Sequence, residues 1–139
     1  MVNMKIVEFI SKTSAAGIVN VELGFAPALA VLIQNHGGTN PNIWIWCNSD
    51  RFSSWAEALG LLITGSTGVI TRDTASLNAF DGGNLISTAE TTDSDPKHID
   101  HQGTAAAAGH IAAAGVAIPA DHQTAGGRNL LIAFEMTEH

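Results

Sequence analysis

The chain has 139 residues, with 6 Lys and Arg against 13 Asp and Glu and a net charge of −7. Charged residues make up only 14% of it, against about 25% in an average soluble domain. The cations are scattered, cysteine occurs once, and the longest apolar run is residues 25–33. This argues against nucleic-acid binding, a disulfide framework, a cysteine-rich zinc site and a membrane-spanning helix. Glu8 interrupts the only early apolar run, so a soluble protein made in a cytoplasm is expected. The length suits one domain, 1–139, and so little charge implies a surface that copies of the chain or a larger assembly cover.

In chain order, Lys5–Lys12 mixes β-branched and polar residues and predicts a strand. Thr13–Gly17 is turn-like. In the next strand Val19, Val21 and Leu23 share a face, because strand side chains alternate. Gly24-Phe25-Ala26-Pro27 breaks that pattern, and Pro27, without an N–H, marks a corner. Ala28–Gln34 is short and apolar, as in a buried strand. His36–Asn42 is a turn cluster. Ile43–Cys47 returns as a strand, with Trp44 and Trp46 on one side and Ile43, Ile45 and Cys47 on the other. Ser53–Gly60 predicts a short helix, capped by Ser53 or Ser54 and ended by Gly60.

Leu61–Ile63 and Val69–Arg72 are strand candidates on either side of Gly65-Ser66-Thr67-Gly68. Asp81–Asn84 is a tight turn before Leu85–Thr88. Residues 89–103 gather acidic groups and histidines around Pro96 and read as a surface loop. Thr104–Ala114 holds seven alanines and fits either a helix or an extended arm, so 89–115 is expected to be surface loop and Ala-rich arm. Val116–Ile118, a turn-rich Ala120–Asn129 and a last strand, Leu130–Met136, close the chain. Short strands separated by turn residues predict an all-β single domain, a β-sandwich or jelly-roll-like barrel with one or two short helices. The expected core is Phe9, Val21, Leu23, Phe25, Val31, Ile33, Trp44 or Ile45, Ile132 and Phe134.

Chemistry is sparse. His98 and His101 stand three apart with Asp100 between them, a donor set of the type that ligates zinc. They lie on no rigid element, so no metal is expected, with His98, Asp100 and His101 the ligands of the alternative reading, a small metallo-hydrolase. No Gly-x-Ser-x-Gly elbow and no phosphate-binding glycine loop occurs. Cys47 lies in an apolar strand and reads as an inert thiol. Trp44, Trp46 and Trp55, in a chain without tyrosine, read as core fillers. No catalytic residue, cofactor-binding residue or cofactor is expected, and the chain is not read as an enzyme.

Two stretches carry a likeness to known sequences. Val21-Glu22-Leu23-Gly24-Phe25-Ala26-Pro27, followed by Ala30–Ile33, resembles the opening of small tailed-bacteriophage virion proteins. Gly115–Asp121, through Gly127 to Leu131-Ile132-Ala133-Phe134, is similar to their closing strands. Together these cover about a third of the chain, and the Ala-rich stretch and the His-bearing acidic loop depart from the pattern. The resemblance implies a sandwich-like capsid decoration or cement protein without enzymatic activity. It would be made in the host cytoplasm, sit on the capsid surface and bind the major capsid protein. The chain is then expected to be a homo-oligomer, a trimer above all, with inter-subunit contacts at Met1, Val2, Asn3, Ala106 and Ala113. A tail or fibre module that binds a receptor or glycan is the alternative.

Overall fold

The computed structural model describes residues 3–10, 19–35, 37–48, 59–73, 77–80, 104–105, 114–124 and 126–135. They form ten strands: β1 (Met4–Ile10), β2 (Val19–Glu22), β3 (Leu29–Gln34), β4 (Asn42–Cys47), β5 (Leu59–Ile63), β6 (Ile70–Asp73), β7 (Asn78–Phe80), β8 (Thr104–Ala105), β9 (Gly115–Ile118) and β10 (Arg128–Phe134). Six of them build one sheet in the order β1-β10-β3-β4-β5-β6, and four build a second in the order β7-β9-β2-β8. Every pairing is antiparallel. The fold is all-β and sandwich-like.

Alternation decides what each sheet buries. One row across the larger sheet runs Val7, Leu131, Leu32, Trp44 and Leu62 in register. The first four of these are buried, and Leu62 packs against them half-exposed. The next row sets the small Ala133 and Ala30 beside the large Trp46, all buried, so bulky and small residues alternate across the core. The smaller sheet contributes Val19 and Val21 from β2 and Val116 and Ile118 from β9, and all four belong to the same buried cluster. Phe9, Leu23, Phe25 and Leu77 complete it.

Two of the connections that carry the chain from the smaller sheet to the larger lie at opposite ends of the strands. One is Leu23–Ala28, from β2 to β3; the other is Pro119–Gly127, from β9 to β10. β2 pairs with β9 in the smaller sheet and β3 with β10 in the larger, both antiparallel, so the end of β2 lies beside the start of β9 and the two corners sit at opposite ends of the strands. Leu23 N and Gly24 N both donate to Ala114 O, at 2.9 and 2.8 Å. Gly24 holds φ +82°, a left-handed conformation that a side chain disfavours. In the second corner Ala120–His122 makes one turn of 3-10 helix, and Gln123 Nε2 donates to Ile118 O and Pro119 O at 3.1 Å each. Asn48 Nδ2 donates to Pro27 O at 3.3 Å. Side-chain amides thus satisfy backbone carbonyls where the ladders stop.

Several expectations change. Val31, Ile33, Ile132 and Phe134 are not core residues; they are half-buried on the opposite face of the larger sheet. Their strands are apolar at nearly every position, so the inward parity goes to Leu32, Leu131 and Ala133 instead. Of the alternatives Trp44 and Ile45, Trp44 is buried. Gly60 does not end a helix: it lies inside β5, buried, opposite Trp46 on one side and Asp73 on the other, where it adds no side chain to a row already holding an indole. The rest of the expected helix, 53–58, lies outside the described residues, as do Trp55 and the turn at 81–84. Within 89–115, Thr104–Ala105 forms β8 against β2 and Gly115 begins β9; the remainder, Ala114 apart, lies outside the described residues.

Candidate functional site

Two features of the described residues go beyond a packed core. The first is the face of the six-stranded sheet turned away from the smaller sheet. Its middle row reads Ile6, Ile132, Val31, Ile45, Leu61 and Arg72 across the strands. The row beside it reads Glu8, Leu130, Ile33, Ile43, Ile63 and Ile70, and the row on the other side holds Met4, Phe134, Leu29 and Cys47. Apolar side chains fill these rows except at two places on opposite edges, Glu8 on β1 and Arg72 on β6. Met4, Ile6 and Ile70 are 53%, 37% and 64% exposed, so the apolar face runs out to both edges. Antiparallel sheets with one wet face alternate apolar with polar residues; this one is apolar on both.

Cys47 stands in this face, half-buried. Burial pushes its thiol above the ordinary value, the reverse of what an activated thiolate needs.

The second feature is a polar node at the second corner. His122, 2% exposed, stacks on Trp44 with ring centroids 4.6 Å apart and planes 25° from parallel. Its Nδ1 lies 2.9 Å from Asp121 Oδ1, and its Nε2 lies 2.9 Å from Asp73 Oδ2. The Nε2 contact has the distance of an ion pair without the alignment of a hydrogen bond. The aligned donor to that same oxygen is Trp44 Nε1, at 2.9 Å. The node therefore ties β4, β6 and the β9–β10 corner together. Both imidazole nitrogens face carboxylates and an indole covers the ring, so no nitrogen is presented to a substrate. This is a clamp and not a general base, which must reach the proton it takes. Sequence reading passed over it because Trp44, Asp73 and His122 are far apart in the chain; the one local signal was the Asp121-His122 pair.

Of the predicted site residues, Asn3 alone is described. It is exposed, its Nδ2 donates to Glu135 Oε2, and its carbonyl accepts from Glu135 N at 2.9 Å, which carries the β1–β10 ladder one step further within the chain. Met1, Val2, Ala106 and Ala113, and His98, Asp100 and His101 of the metal alternative, lie outside the described residues. Among the described residues no three His, Cys, Asp or Glu converge to hold a metal, and no helix is long and apolar enough to cross a membrane. No protein-family model, curated protein or solved structure matches the chain.

Proposed function

We propose that this chain is a structural protein of a tailed-bacteriophage virion, which binds the outside of the capsid as an oligomer and reinforces it. The observation that supports this reading is the apolar outer face of the six-stranded sheet, in a chain where 14% of residues are charged. Water disfavours a contiguous apolar face of this breadth, and assembly surfaces are where such faces occur. A protein that binds the assembled shell and not its free subunits stabilises the shell by mass action, and repetition over a lattice converts weak single contacts into avidity. The two phage-like stretches of sequence supply β2 and β3 and β9 and β10 with their connections, and β2 pairs with β9 and β3 with β10. A glycan-binding fibre module draws no support from Trp44 and Trp46, which are buried in the core.

The test is to titrate purified protein onto empty phage shells. Saturation at a symmetry-related stoichiometry, with greater resistance of the shells to heat, is the expected result. Binding to host cells but not to shells, or location at the tail tip alone, would replace this reading with the fibre one.

A further inference from the structure

We infer that the outer face of the six-stranded sheet is a self-association surface that joins two copies of this chain face to face about a two-fold axis parallel to the strands. This goes beyond the proposed function, since it holds whether or not the assembly is a virion. The size fits. With strands about 4.8 Å apart and rows repeating about every 6.6 Å, the face spans some 24 Å by 13 Å between backbone positions and roughly 500 Å² with its side-chain rims. Two such faces bury about 1,000 Å², where specific interfaces begin. Sheets that twist alike stack about 10 Å apart, nearly aligned. The face therefore fits another sheet of its own shape.

The charges select the axis. Glu8 and Arg72 sit at opposite edges of the sheet, one row apart. A two-fold along the strands lays β1 of one copy over β6 of the other, which brings each Arg72 beside the partner copy's Glu8. A two-fold across the strands would instead lay Arg72 on Arg72, like charge on like. Glu8 also lies 3.8 Å from Arg128 of its own chain, and a carboxylate accepts about four hydrogen bonds, so the partner copy's guanidinium adds to the contacts Glu8 makes within its own chain. Ile45 and Val31 then lie at the centre of the interface and Cys47 inside it, over the partner copy's Leu29. An isologous contact of this kind closes at two copies, in place of the trimer expected from the sequence.

The experiment is sedimentation velocity of the full chain from about 1 to 100 μM, with alkylation of Cys47 by dilute maleimide measured over the same range. The expected result is a monomer–dimer equilibrium of micromolar strength, the order that an interface of minimal area supports. Alkylation should slow with a midpoint at the same concentration. Ile45→Lys should weaken the dimer by about a hundredfold, and Arg72→Glu, on an exposed strand, by about fivefold. If Ile45→Lys fails to fold, Arg72→Glu and the thiol readout still decide. A monomer at 100 μM, a trimer, or a dimer in which Cys47 reacts at an unchanged rate would overturn the proposal. Tighter association of Arg72→Glu would overturn the axis.

Discussion

Leu131 and Ile132 are neighbours on β10 with side chains on opposite faces, and shortening each to alanine tests which way the larger sheet faces. Leu131 is fully buried between Val7 and Leu32. Removing three carbons forfeits roughly 2.4 kcal/mol of transfer free energy at about 0.8 per methylene. Partial collapse of the cavity adds to this, for about 3–4 kcal/mol in all. At this chain length that lowers the melting temperature by roughly 10 °C. Ile132, half-buried on the outer face, loses less contact and should cost about 1 kcal/mol in the monomer. Urea denaturation of both variants at about 1 μM, followed by tryptophan fluorescence, measures the difference. Equal losses, or a larger loss for Ile132→Ala at this dilution, would refute the assigned parity. A further loss for Ile132→Ala that emerges only near 100 μM is the expected mark of the covered face.

Asp73→Ala leaves the Trp44 indole N–H without its acceptor and takes away the carboxylate beside His122 Nε2, and should cost about 1–3 kcal/mol; Asp73→Asn, which keeps an oxygen there, should recover part of it in the same urea assay. Gly65→Ala should unsettle the β5–β6 turn, because an added Cβ would run into the Pro41 carbonyl oxygen; amide exchange at position 65, whose N–H donates to Asn42 Oδ1 at 2.9 Å, should accelerate at least tenfold. For Cys47, burial raises the folded thiol above its ordinary range. The associated stability is fully present below the unfolded thiol's range and is lost as pH rises through the folded value. Maleimide should therefore react more slowly with the folded chain than with a free thiol at pH 8, and Cys47→Ser should flatten the decline in stability at alkaline pH.

Local chemistry made most of the strands legible. The Gly65–Gly68 turn, the Pro27 corner and the tryptophan side of β4 follow from residue types with one strong preference each. Parity on β3 and β10 was not legible, because Leu-Ala-Val-Leu-Ile and Leu-Leu-Ile-Ala-Phe are apolar on both sides and carry no period-2 signal. The pairing supplies it: Leu32 stands opposite Trp44 and Leu131 opposite Leu32, so the inward-facing indole fixes its neighbours. β7 and β8 went unseen because strands of three and two residues hold no pattern longer than a turn. The clamp around His122 was invisible for a further reason, since Trp44, Asp73 and Asp121 meet only once the sheets have stacked.

The place of β10 between β1 and β3 governs how the fold can be reached. β1, near the start of the chain, has its described sheet partner in Arg128–Phe134. A nascent chain can form the β3-β4-β5-β6 meander from neighbouring segments while Met4–Ile10 still lacks the strand it will pair with. Joining it requires a contact more than a hundred residues apart in sequence, and topologies of that kind fold in milliseconds to seconds instead of microseconds. Until β10 arrives, β1 is an apolar strand with open hydrogen-bonding edges, the state most exposed to pairing with another chain. A version truncated before Arg128 should therefore aggregate while it keeps the meander, and a synthetic peptide of residues 128–134 supplied in trans should compete for the vacant strand position.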